Sequence, residues 1–169
     1  NIHNITKTIG IDKRISPYFF GYGTPYGGTC FPRDTSAFIK FAKDRKKTAK
    51  NLIFAEEVNE MVYGSILSKV KSYQKVGVLG ISFKPNSPVV IGSPSARLIR
   101  DLLDLKIEVN GYDSISETYS NLDMNINEFS TPQECIDNSD VIVIMHPDKL
   151  FSDLNYVDKK LVDYWGIVR

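Results

Sequence analysis

Val141-Ile142-Val143-Ile144-Met145 is an unbroken apolar run, mostly β-branched and too short to be a helix of its own. A strand that is apolar on both faces needs cover on both, which is the habit of parallel sheets clothed by helices. Working outward, Val76 to Ile81, Ile107 to Tyr112 and Leu161 to Tyr164 read as companion strands, and helical spacing separates them at about 93 to 105 and about 132 to 138. This alternation predicts an α/β domain over residues 74 to 169, Rossmann-like, with a doubly wound parallel sheet. Residues 114 to 131 are polar and irregular, and read as a surface connection with one short element that the pattern does not place.

Residues 1 to 73 read as a helical, loop-rich central region with no evident strand. A Gly, Pro and aromatic loop from Pro17 to Thr29 precedes two helical stretches, about 31 to 43 and 48 to 72. The second carries Leu52, Ile53, Phe54, Ala55, Val58, Met61, Val62, Tyr63, Ile66, Leu67 and Val70, more than one surface stripe holds. It is either a core helix of this chain or a spine that also packs against a second copy; the few residues around it favour the spine and a homodimer. The chain opens at Asn1 rather than Met, partway into a helical pattern, which suggests that sequence precedes it.

A net charge of +1 with scattered Lys and Arg gives no broad basic field, so nucleic acid is not an expected partner. No apolar stretch approaches the length that spans a bilayer, and a cytoplasmic protein is expected. The two cysteines do not make a disulfide framework, which fits a reducing compartment. His3, His146, Cys30 and Cys135 lack metal-site spacing, so no metal is expected.

The residues that bear chemistry lie in Gly21-Tyr22-Gly23-Thr24-Pro25-Tyr26-Gly27-Gly28-Thr29-Cys30-Phe31-Pro32-Arg33-Asp34. Gly27 and Gly28 permit a tight turn that brings backbone N–H groups to a ligand, and Pro32 suits the first turn of a helix, placing Cys30 at its N-terminus. That position favours a thiolate nucleophile. The alternative is that Cys30 is a small packed residue. Asp34 lies one turn on, where it could orient a water or accept a proton, or serve only to stabilise the helix end.

Tyr26-Gly27-Gly28-Thr29-Cys30-Phe31-Pro32-Arg33-Asp34 resembles the Gly-Phe-Gly-Gly-Ser-Cys-Phe-Pro-Lys-Asp signature of the UDP-glucose/GDP-mannose dehydrogenase family. Ile9-Gly10-Ile11-Asp12-Lys13-Arg14-Ile15 is similar to that family's Ile-Gly-Met-Asp-x-Arg-Ile run, and Gly80-Ile81-Ser82-Phe83-Lys84-Pro85-Asn86-Ser87 to its Gly-Leu-Ala-Phe-Lys-Pro-Asn-Thr. The resemblance implies oxidation of the C6 hydroxyl of a nucleotide-linked sugar, twice, with NAD, through a thiohemiacetal and a thioester on Cys30. It implies that Asp34 assists proton transfer, that Tyr26, Gly27 and Gly28 wrap the sugar nucleotide, and that Phe83 and Lys84 contact it. Arg14 matches an arginine that reaches a neighbouring subunit's site; without the family it is a surface charge at a helix end. Thr29, where the N-acetylhexosamine branch has His, leans toward UDP-glucose or GDP-mannose, with UDP-glucose preferred.

The strand Val76 to Phe83 lacks a Gly-x-Gly-x-x-Gly turn, so this α/β half is expected to hold the sugar nucleotide, with NAD bound mainly by a further domain. Asp113 follows the second strand where an acid could bind ribose, or is a turn residue. Four features depart from the family: Pro25 replaces a Gly, Ile91-Gly92 replace Arg-Glu on the cofactor side, Val162 to Gly166 with Trp165 replaces an Asp-Gly-Arg segment for which Arg169 could substitute, and no NAD-binding stretch is present. Two other readings stay open: a non-redox sugar-nucleotide-binding or regulatory module, and an unrelated thiol enzyme pairing Cys30 with His146.

Overall fold

The computed structural model describes residues 2–17 and 20–168. Three helices come first: α1 (Ile2–Ile9), α2 (Phe31–Asp44) and the long α3 (Lys50–Val70). The second half alternates: β1 (Lys75–Leu79), α4 (Pro94–Asp104), β2 (Glu108–Tyr112), α5 (Glu117–Leu122), β3 (Asn127–Glu128), α6 (Pro132–Asp137), β4 (Val141–Ile144) and β5 (Lys160–Asp163). The strands form one parallel sheet in the order β3-β2-β1-β4-β5, with Val76 registered to Val109 on one side and to Val141 on the other. The expected α/β architecture is therefore what the chain adopts.

Strand periodicity explains the two layers of core. Val76, Val78, Val141 and Val143 point to the face covered by α4 and the end of α3, where Ile66, Val70, Leu98, Ile99 and Leu102 are fully buried. Leu79, Ile142 and Ile144 point to the opposite face, against Cys135 and Ile136 of α6 and against Phe151. Helix starts are well marked: the Ser93 hydroxyl accepts the N–H groups of Ser95 and Ala96 ahead of Pro94, and Thr131 with Glu134 forms a capping box.

The connection from 114 to 131 holds two elements, α5 and β3, rather than the one expected. β3 is two exposed polar residues paired through Asn110↔Asn127, too short for any alternation to show in sequence. The long helix divides along its length. Tyr63, Ile66 and Val70 are buried in the sheet's core, whereas Phe54 and Met61 remain 65% and 71% exposed. Its second apolar side is not covered within the described residues of this chain.

From β1 the strand order runs outward to β2 and β3 on one side and to β4 and β5 on the other. A crevice opens outside the carboxyl ends of strands at such a point, the usual ligand position in open α/β sheets.

Candidate active site

The loop of residues 21–30 lies across those carboxyl ends. Past β4, the Thr24 hydroxyl donates to the Met145 carbonyl at 2.8 Å. Past β5, Trp165 fills the space over Gly23, where a Cβ would stand 2.3 Å from the indole. Past β1, Phe83 lies under Gly28, whose φ of +90° suits glycine, and the Gly28 N–H donates to the Gly92 carbonyl at 2.9 Å. A Cβ on Gly27 would meet that same carbonyl at 2.2 Å. Tyr26 anchors the loop to α3: its N–H donates to Asn59 Oδ1, its carbonyl accepts from Asn59 Nδ2, and its hydroxyl donates to Glu56 at 2.6 Å. Burial and the Glu56 carboxylate push the Tyr26 phenol up to about 12.

This clamped loop delivers Cys30 to the N-cap of α2, exposed, with the Thr29 hydroxyl 3.5 Å from its Sγ. Pro32 sits in the first turn, as its spacing from Cys30 implies. Asp34 follows one turn on, its N–H donating to the Cys30 carbonyl and its exposed carboxylate paired with Arg33 at 2.8 Å. The Arg33 hydrogen bond lowers the pKa of that carboxyl. Cys135, by contrast, is wholly buried on α6, and burial pushes its thiol up to about 12.

On the sheet side, Phe83 and the exposed Lys84 follow β1, with the Lys84 Nζ 5.3 Å from the Phe83 ring centre. Arg14 is highly exposed and bound to Asp12 of its own turn at 2.6 Å. Asp113 is 5% exposed, and both its oxygens are taken by donors of this chain. It is thus neither free for a ribose nor only a turn residue. Burial alone raises its pKa, but the His146 ring and the N–H groups of Ser82, Ile115 and Ile81 outweigh this and hold it down to about 2.

His146, just before Pro147, is a buried structural residue, with its Nε2 3.6 Å from Asp113 Oδ2. It is 2% exposed, stacked on Phe151 and packed over Gly80, and neither ring nitrogen has a hydrogen-bond partner. A ring so placed is not the base of the exposed Cys30, which removes the support for an unrelated Cys-His enzyme. Arg169 and the side chain of His3 lie outside the described residues. Among the described residues no cluster of three His, Cys, Asp or Glu could hold a metal ion, and no helix is long and apolar enough to cross a membrane.

A cavity of about 600 Å³ opens behind the loop, between α3, α4 and the 90–94 turn, lined by Tyr26, Gly27, Gly92, Arg97 and Arg100. A dinucleotide would find no cradle at β1. Gly77 is inside the strand, where a Cβ would strike Ile142 and Ser139, and Gly80 is capped by the His146 ring. These residues do not fit a dinucleotide pyrophosphate at the switch point.

The model of the UDP binding domain of the UDP-glucose/GDP-mannose dehydrogenase family matches residues 77–168, and that of its central domain matches residues 1–61. The chain belongs to the UDP-glucose/GDP-mannose dehydrogenase family. Among its relatives in that family, a UDP-glucose 6-dehydrogenase of Rhizobium meliloti is 33% identical over 120 residues, covering 67% of this chain and 28% of the relative. Another, of Rickettsia typhi, is 27% identical over 166 residues, covering 92% of this chain and 38% of the relative. The solved UDP-glucose dehydrogenase of the archaeon Pyrobaculum islandicum superposes with a TM-score of 0.89 at 28% identity, over 97% of this chain and 40% of that one. A GDP-mannose dehydrogenase of Pseudomonas aeruginosa, TM-score 0.80 at 24% identity over 99% of this chain and 42% of that one, shares the fold. The chain therefore spans well under half the length of these relatives.

Within this family member, sequence reasoning missed Asn59, Glu56 and Gly92 as the parts that hold the cysteine loop. Asn59 and Glu56 read only as polar positions of a helix, and nothing local connects them to Tyr26, some thirty residues earlier. Trp165, noted only as a departure, packs the loop through Gly23.

Proposed function

We propose that the chain supplies the thiol and the sugar-nucleotide site of an NAD-dependent nucleotide-sugar 6-dehydrogenase acting on UDP-glucose or, second, GDP-mannose. The observation that supports this best is the clamped loop, which sets an exposed Cys30 at a helix N-terminus beside the strand end that carries Phe83 and Lys84. Residues 1–73 contribute the thiol and residues 74–169 the nucleotide site, in a cytoplasmic protein.

The loop around Gly27 and Gly28 wraps the sugar and diphosphate, with the Gly28 N–H spent on the Gly92 carbonyl to hold its shape, and Lys84 meets a phosphate as a point charge. Cys30 Sγ adds to the C6 aldehyde carbon, and a proton goes to the resulting alkoxide, giving a thiohemiacetal. In the last step water adds to the thioester carbonyl, the C–S bond breaks, the uronate leaves and Cys30 regains its thiol, with Asp34 taking the proton of the attacking water. The two oxidations between alcohol and thioester need NAD as hydride acceptor, and the residues described do not hold it. The chain by itself is accordingly a binder without turnover.

Calorimetry tests the reading: UDP-glucose and UDP bind the chain weakly, NAD binds more weakly than either, and no NADH forms with any sugar. Measurable turnover, or NAD binding tighter than every sugar nucleotide, would mean that the α/β half holds the wrong ligand in this account.

The partner is a second copy joined along the exposed half of α3, where Phe54, Val58 and Met61 are backed by exposed Phe38 and Phe41 of α2. Arg14 then reaches toward the partner's cysteine loop. Sedimentation gives a dimer at micromolar concentration, and Met61→Glu shifts it to monomer; a monomer at high concentration in the unaltered chain removes the case.

A further inference from the structure

We propose that Asp113 is a positioning residue for the nucleotide, holding the Phe83–Lys84 segment in place from beneath. The proposal rests on the functional reading above. Asp113 Oδ2 accepts the N–H groups of Ile81 and Ser82, both at 2.9 Å and some thirty residues away in sequence. Its Oδ1 accepts the Ile115 N–H at 3.1 Å and the Thr118 hydroxyl at 3.2 Å. The first pair ties the end of β1 to the end of β2; the second fixes the carboxylate on the turn into α5. A residue that merely shaped its own turn would need only the local pair.

The contact is relayed to the ligand side in one more step. Ser82, whose N–H is held by Asp113, donates its hydroxyl to the Lys84 carbonyl at 3.0 Å. The Phe83 N–H donates across the loop to the Val89 carbonyl, and the Ser93 hydroxyl to the Ile81 carbonyl at 2.8 Å. Lys84 is thus an exposed side chain on a backbone hung from two buried side chains, Asp113 just after β2 and Ser93 just before α4. His146 Nε2 stands 3.6 Å from Asp113 Oδ2, too far for a hydrogen bond. The end of β4 thereby closes the pocket that the carboxylate occupies.

The chemistry requires a carboxylate. Two N–H groups converge on one oxygen, and an N–H with a hydroxyl on the other, which a group with acceptors only can satisfy. Asn in the same shape sets an amide donor against a donor on one of the two sides.

The test is calorimetric titration of the full chain with UDP, using Asp113→Asn, Ser82→Ala, Lys84→Met and the double variants with Lys84→Met, each checked for native circular dichroism. Asp113→Asn weakens UDP about tenfold and Ser82→Ala about fivefold, the scale of one or two hydrogen bonds. In the Lys84→Met background neither change weakens UDP further, because both act through Lys84. A structural role alone predicts equal losses in both backgrounds, and that result overturns the proposal. So does UDP affinity within twofold of the unaltered chain in Asp113→Asn; if that variant does not fold, the same criterion applies to Ser82→Ala. Absence of UDP binding by the unaltered chain overturns the functional reading instead, and this proposal with it.

Discussion

Limited treatment of the native chain with iodoacetamide at neutral pH will alkylate Cys30 and leave Cys135 unmodified. Alkylation proceeds through the thiolate and needs access to sulfur. Cys30 meets the access condition, at the exposed N-cap of α2 on a loop held at Gly23, Tyr26 and Gly28. Cys135 meets neither condition: it has no exposed surface, and burial pushes its thiol up to about 12, so hardly any thiolate exists at neutral pH. Its labelling also waits for the core between α6 and the sheet to open. The combined effect is a rate difference of at least about a thousandfold. Peptide mapping by mass spectrometry after brief exposure reads it out, and a denatured control labels both thiols. Preferential modification of Cys135 in the folded chain would sink the assignment of Cys30 as nucleophile.

Restoring the family's Arg-Glu at residues 91 and 92 will have opposite outcomes at its two positions. Ile91 is 69% exposed, so Ile91→Arg changes stability by no more than about 0.5 kcal/mol. Gly92→Glu is different. Gly92 has φ +69°, a Cβ there would stand 2.5 Å from the Gly28 carbonyl oxygen, and its own carbonyl receives the Gly28 N–H. A left-handed backbone costs a non-glycine residue about 1 kcal/mol, and an atom driven against backbone costs about 1–3 kcal/mol more. Gly92→Glu therefore destabilises the chain by about 2–4 kcal/mol and detaches the cysteine loop from the 90–94 turn. Urea unfolding of the two variants measures the difference from their midpoints, provided the slopes agree. Equal stability in both would show that the contact between Gly28 and Gly92 does not hold the loop. The glycine is thus part of how this chain seats its cysteine, and the departure at 92 has a steric reason.

The same contrast between local and distant causes runs through the site. Cys30 was legible because all that defines its position lies within a few residues: Gly27 and Gly28 before it, Pro32 after it, and a helix beginning between them. The place of Phe83 and Lys84 just past a strand end was legible from the strand pattern before them. Asp113 was read as ribose ligand or turn residue, since its principal partners, Ile81 and Ser82, meet it only once β1 and β2 lie side by side. The setting of His146 has a similar origin. Its burial without a hydrogen bond depends on Gly80 and Phe151 converging on it from other parts of the chain.

What the sequence by itself determined is the alternation of buried strands and capped helices. Continuous apolar runs such as Val141–Ile144 cannot be hidden except between two helical layers, and Ser93 and Thr131 mark helix starts through local hydrogen bonds. Only the tertiary structure decided the strand order, which places the switch point between β1 and β4, and the seating of the cysteine loop there on Asn59, Gly92, Met145 and Trp165. It also decided that half of α3's apolar surface goes to the sheet and the rest stays exposed. Periodicity states that a side chain must leave water but not which surface receives it, because hydrophobic burial has no direction. Partners far apart in sequence become neighbours only when the whole sheet has closed its core.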